Sequence, residues 1–290
     1  MQSVFKIKFF CVFCAFCVTL ASCEKPIIPE ESDEVTKGNL TVSIYQLEQT
    51  PFENLTRSVA SDVCTRLNFA VYSGGTRVKQ VNQEISNANF GTASFQLSEG
   101  IYQLVVVAHS SSGNPTMTNP AKIQFTNALG FTDTFLYNGE VVLEEDDAQQ
   151  LNISLERIVS LCRFVMTDDY PAGVTKMRFQ YKGGSGAFDA STGFGSVNST
   201  QTIWYNDVST GQKQFDLYTF LHDTEGTIHL LVTAYDDYNN VLYEREFDVP
   251  LVQNHVTWLT GPYFSGSGAE SMTMTVTINT DWEGEYRLTF

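Results

Sequence analysis

The sequence predicts an all-β protein, and three observations support this. Apolar and polar residues alternate with a period of two over many short segments, as half-buried strands require. Clusters of glycine, serine and asparagine separate these segments, as turns do. The chain also has 21 phenylalanines and 13 tyrosines, which suit pleated, half-buried surfaces. The segments are too numerous for a single seven-stranded unit, so we expect sandwiches in tandem.

The first 22 residues have the pattern of an export signal. Lys6 and Lys8 precede an uncharged stretch, residues 9–20, which as a helix would span only about 18 Å of a hydrocarbon core of about 30 Å. The stretch closes on Leu20-Ala21-Ser22-Cys23, which resembles the lipobox of bacterial lipoproteins. The alternative is an ordinary signal followed by a chance cysteine. We expect Cys23 to carry lipid, because the leucine, the two small residues and the cysteine fall together where the apolar stretch ends. Two or three acyl chains would then give essentially permanent membrane attachment.

Removal of this signal would make an acidic chain more acidic. It leaves 268 of the 290 residues, 33 acids and 15 of the 17 basic residues, for a net charge of 15 minus 33, or −18. Nucleic acid and anionic lipid headgroups are therefore poor partners, and we expect no nucleic-acid binding. Residues 24–37 contain two prolines and five acids, which favours an extended tether. Acidic residues so soon after Cys23 also resemble signals that send lipoproteins to the outer cell surface.

The strands are predicted from the alternating segments. Their ranges are 40–44, 67–71, 95–97, 101–109, 151–155, 177–181, 215–220, 227–235, 241–249, 256–259 and 272–278. The run Gly183-Gly184-Ser185-Gly186 lacks the lysine and the following helix of a phosphate loop, so we interpret it as a flexible hairpin.

An internal echo favours two domains. Residues 99–108 and 225–234, which lie 126 positions apart, share a Glu-Gly turn, a leucine, a valine and the final alanine. The spacing is about one domain length. We therefore predict a signal peptide at 1–22, an acidic tether at 23–38, an N-terminal β-sandwich at 39–158 and a C-terminal β-sandwich at 159–290, with the junction at 157–160.

Two cysteines remain after the signal and the lipidated residue are set aside. Cys64 and Cys162 would be joined by a disulfide or remain as two buried free thiols, and their separation in sequence does not decide between these.

The sequence has no recognisable catalytic or metal-binding motif. Its four histidines lack metal-ligand spacing, and there is no G-x-S-x-G elbow. The acidic run 144–147 favours a solvated hairpin tip over a calcium loop. We therefore expect no metal, no cofactor and no enzyme activity. Four aromatic residues, Trp204, Tyr235, Tyr238 and Trp258, could stack on sugars, and the competing interpretation for each is packing within or between strands.

The lipobox, the acidic tether and the two β-rich halves joined at Leu155-Glu156-Arg157-Ile158-Val159-Ser160-Leu161 together resemble the fimbrillin superfamily of Bacteroidetes-type fimbriae. Within it, the chain looks most like the FimB-like anchor subunits. The resemblance implies two transthyretin-like sandwiches, lipoprotein export, and joining of subunits by exchange of β-strands. In polymerising relatives the first strand is cut away after an arginine, for which Arg57 and Arg66 are the candidates here. An anchor would keep that strand and its lipid.

The chain end also alternates apolar and polar residues, over 272–278 and 285–290. These segments would either complete the second sandwich or act in strand exchange.

The resemblance implies a non-enzymatic fimbrial subunit in the cell outer membrane. We expect it to be the lipid-anchored base or a minor accessory subunit that supports adhesion. Its partners would be other fimbrial subunits, the membrane through its acyl chains, and a host or bacterial surface ligand. The alternative function is a surface glycan-binding lipoprotein of a nutrient-uptake system.

Overall fold

The computed structural model describes residues 38–48, 60–145, 148–208, 211–265, 275–279 and 286–288. For Asp62 and for the last two ranges it describes the backbone alone. Apart from one short helix, the regular elements of this part of the chain are all strands, in four sheets, which confirms the predicted all-β class. No helix in it is long and apolar enough to cross a membrane.

The first half of the described chain contains nine strands and a single helical turn. In chain order they are β1 (Leu40–Glu48), α1 (Ala60–Val63), β2 (Arg66–Ser73), β3 (Thr76–Glu84), β4 (Thr92–Phe95), β5 (Gly100–His109), β6 (Thr116–Asn119), β7 (Lys122–Gln124), β8 (Thr134–Leu143) and β9 (Gln149–Arg157).

The second half contributes ten strands. They are β10 (Ser160–Met166), β11 (Lys176–Lys182), β12 (Ala187–Phe188), β13 (Gln201–Tyr205), β14 (Gln214–Thr219), β15 (Glu225–Tyr235), β16 (Val241–Val252), β17 (Val256–Gly261), β18 (Thr275–Asn279) and β19 (Tyr286–Leu288).

Strands β1 to β9, apart from β6 and β7, form one seven-stranded sheet in the order β3-β2-β5-β8-β9-β1-β4. Strand β9 runs parallel to β1, and the other neighbours are antiparallel. Strands β8 and β9 pair only at Phe135↔Arg157 and Leu136↔Glu156. The sheet turns there, so that side chains of β2 and β5 meet those of β1, β4 and β9 in one buried cluster.

The second half repeats this strand order in two separate sheets. The order β3-β2-β5-β8 corresponds to β13-β11-β15-β16, and β4-β1-β9 corresponds to β14-β10-β17, to which β18 and β19 are added. Strands β10 and β17 are parallel, as β1 and β9 are. The two similar segments of the sequence lie in β5 and β15, which occupy equivalent positions in this order.

Strand β9 ends at Arg157 and β10 begins at Ser160. The division into two domains stays a prediction, since the chain from Thr36 onward forms one compact unit.

A third buried cluster joins the halves. Its first part is the outer face of the seven-stranded sheet, with side chains such as Tyr72 and Val105, and its second part includes Phe188 and Phe220. A three-stranded sheet in the order β12-β7-β6 covers it. Strand β12 comes from the second half and pairs with β7 of the first, so backbone hydrogen bonds as well as apolar contacts connect the halves.

Arg157 reinforces this connection at the end of β9. Its guanidinium group donates two hydrogen bonds to Asp133, at 2.7 and 2.8 Å, and a longer one of 3.4 Å to Asn254 in the second half. The same group lies 4.9 Å from the centre of the Phe135 ring. A bidentate arginine–carboxylate pair at a buried position holds two segments in a fixed geometry.

The glycine run 183–186 is not the flexible hairpin that its composition predicted. Gly183 has a φ of 95°, and a Cβ there would overlap the carbonyl oxygen of Thr227. A Cβ on Gly184 would overlap the hydroxyl of Thr219. Ser185 is fully buried and bridges to Phe220. The glycines therefore allow a close approach of backbones next to the shared cluster, and local composition could not distinguish this role from a mobile turn.

A polar network is buried between β2 and β5. His109 is fully buried, its Nε2 lies 2.8 Å from Oδ1 of Asn68, and its Nδ1 accepts a hydrogen bond from the Ser111 amide at 3.1 Å. This arrangement fits a neutral imidazole that donates to Asn68. Burial, together with the positive charge of Arg66, lowers the pKa of His109 to about 4.

We expect Gly184→Ala to destabilise the protein by about 2 kcal/mol or more, since its methyl group would have to displace the Thr219 side chain in a packed core. Gly226→Ala is the matched control, because a Cβ there meets only the end of the Leu221 side chain, at 3.3 Å. Urea denaturation measures both. Equal losses in the two variants would contradict the close-packing role.

We expect stability to fall as the pH is lowered below about 6.5. The unfolded His109, with a pKa near 6.5, then takes up a proton that the folded state, with a pKa of about 4, excludes. The free energy of unfolding should decrease by up to about 1.4 kcal/mol per pH unit, or about 1.6 kcal/mol between pH 6.5 and 5. Denaturation curves across this window measure the slope. His109→Gln should flatten it, and an unchanged slope in that variant would assign the dependence to other groups.

Candidate functional site

The first strand, β1, lies inside the seven-stranded sheet between β9 and β4, a position that we call the first-strand slot. It pairs with β9 in parallel from Leu40↔Gln149 to Glu48↔Glu156 and with β4 in antiparallel from Leu40↔Phe95 to Ser43↔Thr92. The strand that comes first in the described chain thus has neighbours on both edges, although residues 49–59, which connect it to α1, lie outside the described residues.

Apolar side chains of β1 fill the interior side of the slot. Leu40, Val42 and Leu47 are buried, and Ile44 packs against the same cluster. Burial of the first three stabilises the fold by roughly 5–9 kcal/mol, which is comparable to the whole stability of a typical domain. The protein therefore cannot lose β1 without exposing its core, unless another strand of the same pattern takes its place.

Polar groups fix the register of β1. Asn39 exchanges two side-chain hydrogen bonds with the backbone of Leu97, each 2.9 Å long. The hydroxyl groups of Thr41 and Ser94 lie 3.2 Å apart. A bulge between Ile44 and Gln46 shifts the pairing with β9, and Tyr45, which lies at this bulge, is exposed. A strand that replaced β1 would need an alternating apolar pattern with the same interruption.

The two candidate cut sites differ in what the structure shows of them. Arg57 lies outside the described residues. Arg66 is the first residue of β2, which pairs with β3 on one side and β5 on the other. Its guanidinium donates a hydrogen bond of 2.7 Å to Glu84. A protease binds extended and unpaired chain, so cleavage after Arg66 would require part of the sheet to open.

The two remaining cysteines do not form a disulfide in the structure. Cys64 lies in the core of the first half and Cys162 in the core of the second, and both are free. Burial raises the pKa of each thiol to about 12, so neither is a reactive thiolate at neutral pH. Of the two arrangements that the sequence allowed, the structure has the buried free thiols. Cys23, the predicted lipidation site, lies outside the described residues.

The C-terminal segments extend the five-stranded sheet of the second half. Strand β18 pairs with β17 from Val256↔Asn279 to Thr260↔Thr275, and β19 pairs with β18 over three residues. This is the arrangement expected if they complete the second sandwich. An exchange role for them remains a prediction.

Asp168 is a structural residue that the sequence analysis missed. Its carboxylate accepts hydrogen bonds from the backbone amides of Tyr263, Phe264 and Ser265, at 2.9, 2.6 and 2.8 Å. Partial burial raises the pKa of this carboxyl, but the backbone N–H groups outweigh burial and hold the pKa below its usual value. The interaction ties the end of β17 to the loop after β10. A single aspartate after a strand carries no sequence signal for such a role.

The four aromatic residues that could stack on sugars differ in their exposure to solvent. Trp204 and Tyr238 are exposed, whereas Tyr235 is buried. Trp258 is half-buried, and the Arg163 guanidinium lies 4.9 Å from the centre of its ring. Trp204 and Tyr238 therefore keep surface for a ligand. Within the described part of the chain, no cluster of three or more His, Cys, Asp or Glu residues could hold a metal ion.

A protein family described as a family of unknown function, DUF6562, matches residues 31–289 of this sequence. The chain belongs to the DUF6562 family. The match includes every described strand, from β1 to β19. No curated protein matches the chain.

Several solved structures are similar to this chain. A candidate cell adhesion protein from Bacteroides ovatus is 12% identical with a TM-score of 0.48, over 87% of this chain and 98% of that one. The fimbrial anchor protein Mfa2 from Porphyromonas gingivalis is 11% identical with a TM-score of 0.48, over 87% and 99%. A candidate adhesin from Bacteroides ovatus is 17% identical with a TM-score of 0.44, over 64% and 77%. Matches at this level of identity and TM-score do not transfer a function.

We expect an arginine-specific protease to cut the folded protein after Arg57 before it cuts after Arg66, because both edges of β2 are paired. Mass spectrometry of the first product should find a chain that begins at Ser58. Arg57→Gln should abolish this product, while Arg66→Gln should leave it in place. A first product that begins at Leu67 would contradict the protection of β2.

Proposed function

We propose that this DUF6562 protein is a non-enzymatic subunit of a cell-surface fimbria, held in the outer membrane by lipid on Cys23 and acting as the base or as a minor accessory subunit. The observation that carries the proposal is the first-strand slot. Its occupant is a strand that begins 17 residues after Cys23 in the sequence and is buried in the middle of a sheet.

The slot suits a subunit that is joined to others through strands. A strand flanked by two edges can be exchanged for a strand of another chain, which gains the same hydrogen bonds and fills the same apolar positions. The alternation of Leu40, Val42 and Ile44 with Thr41 and Ser43 defines the pattern that a replacement must have. The repeated strand order of the two halves further supports tandem transthyretin-like sandwiches, with the boundary near Arg157.

The distance between Cys23 and β1 supports an anchor. Residues 24–39 span at most about 55 Å when fully extended, so lipid on Cys23 would keep the first strand close to the membrane. A cut after Arg57 would separate the lipid and β1 from the rest of the chain and would open the slot. An uncut chain keeps both. Retention of β1 therefore distinguishes a base, which must stay attached, from a polymerising shaft subunit.

The proposal can be tested by locking β1 in its slot. Thr41 and Ser94 are cross-strand partners with hydroxyl groups 3.2 Å apart, so Thr41→Cys with Ser94→Cys places two thiols within bonding reach. For an anchor we expect cells that carry the locked protein to keep filaments of normal number, length and attachment in electron micrographs. The second staple, Ser43→Cys with Thr92→Cys, should behave in the same way.

The controls separate the roles. The native protein should begin at an acylated Cys23 in a mass spectrum, and Cys23→Ser should release it from the membrane. Loss of filaments in the locked variant, restored by a reducing agent, would show that β1 must leave and would assign a shaft or tip role. If deletion of the gene left filament number, length and attachment unchanged, the fimbrial function itself would be wrong.

A further inference from the structure

Exposed apolar side chains lie at the end of the four-stranded sheet β13-β11-β15-β16 that holds the turn between β15 and β16. The other end of β16 lies at the junction with the first half, where the Asn254 amide donates a hydrogen bond to the Val159 carbonyl. The exposed side chains belong to the end of β13, to the turn between β15 and β16, and to the start of β16. We call them the distal aromatic face. Its members are Trp204, Tyr238, Val241 and Leu242, which are 45%, 87%, 55% and 40% exposed.

The Trp204 ring is held in place without being covered. Its centre lies 5.2 Å from that of the buried Tyr235 ring, and the Arg178 guanidinium lies 5.6 Å from it. These neighbours restrict the rotation of the indole, yet almost half of the side chain remains exposed. A rigid aromatic side chain binds a ligand with little loss of conformational entropy.

The turn that presents Tyr238 is also rigid. The carboxylate of Asp236 accepts hydrogen bonds from the amides of Tyr238 and Asn240, at 2.9 and 2.8 Å. The ammonium group of Lys176 donates to Asn239 at 2.9 Å, and Asn239 has a φ of 63°. The backbone around Tyr238 is therefore fixed, although the tyrosine side chain itself is almost fully exposed.

Hydrogen-bonding groups lie beside the rings. Arg178 donates to the Thr233 hydroxyl at 3.1 Å, and this hydroxyl donates to the half-exposed carboxylate of Glu244, also at 3.1 Å. The charges of Arg178 and Glu244 lie 3.9 Å apart and offset each other. Lys176 is engaged by the turn. Asp236 and the exposed Asp237 of the turn add negative charge, so the face offers donors and acceptors with a small excess of negative charge.

We propose that the distal aromatic face binds a neutral saccharide. The C–H groups of a pyranose ring are apolar and pack on an aromatic face, while its hydroxyl groups pair with side chains of the kind seen at Arg178 and Glu244. The acidic residues Glu246 and Asp248 on the neighbouring positions of β16, and a net charge of −16 for the whole chain, disfavour acidic sugars and nucleic acid.

The size of the face also favours a sugar over a protein. Its four side chains together expose on the order of 400 Å², about half of the ~800 Å² that each partner contributes to a standard protein interface. The site shares no residue with the first-strand slot, so it is independent of the proposed assembly function.

The test is native gel electrophoresis of the full mature protein in gels that contain a soluble neutral β-glucan, xylan, mannan or galactan. We expect at least one of these polysaccharides to retard the protein, and calorimetry with that polysaccharide to give a dissociation constant. Trp204→Ala should weaken binding at least tenfold. Tyr238→Ala should weaken it several-fold, and this variant removes a ring that packs against almost nothing, so its loss of binding cannot come from unfolding.

Tyr45→Ala is the matched control, because Tyr45 is an exposed aromatic residue in the first half, and it should bind like the unmodified protein. The proposal is overturned if none of the four polysaccharides retards the protein, or if retardation persists in both face variants. Self-association in the ultracentrifuge that Tyr238→Ala abolishes would also overturn it, since the occupant would then be a second copy. Filament formation should be unaffected in the face variants, which keeps this result separate from that of the strand-locking experiment.

Discussion

The shared cluster beneath the three-stranded sheet is the interaction on which the rest of the structure depends. The outer face of the seven-stranded sheet carries apolar side chains, such as Tyr72 and Val105, that pack in one cluster with residues of both halves. Met117 and Ile123 of the first half and Phe188 and Phe220 of the second complete this cluster, and β12 pairs with β7. Because a strand pair, an apolar cluster and the hydrogen bond from Arg157 to Asn254 all cross the junction, the halves have the same internal order but are not independent of each other.

The same constraint explains why the slot and the distal aromatic face can be separate sites. The slot lies in the first half, between β9 and β4, and the aromatic face lies at the end of the second half that is remote from the junction. A rigid junction keeps both at fixed positions in one unit. Binding at the aromatic face then leaves the cores intact, because neither Trp204 nor Tyr238 is part of a buried cluster.

Much of the fold followed from local alternation, and the failures have physical causes. The segments that became β1, β2, β5, β9 and β15 have apolar residues at alternate positions of the sequence and were predicted, although β2 and much of β5 are buried on both faces. Strand β8 was missed because Asn138-Gly139, normally a turn signal, lies in its middle. Strand β3 was missed because most of its residues are exposed. The tertiary roles of Gly184, His109 and Asp168 depend on residues distant in sequence, so no local pattern could reveal them. For the same reason, sequence named four aromatic candidates but could not tell that Tyr235 is buried.

The parallel pairing of β1 with β9 has a mechanical consequence. The chain enters β1 at one end of this pair, and it leaves β9 toward the second half at the other end. Tension between the two ends of the chain would pull these neighbours past each other lengthwise. Their hydrogen bonds would then have to break together, as in shear, rather than one after another, as when a hairpin is unzipped. Strands β10 and β17 are paired in the same direction, so the second half has the same geometry for resisting force.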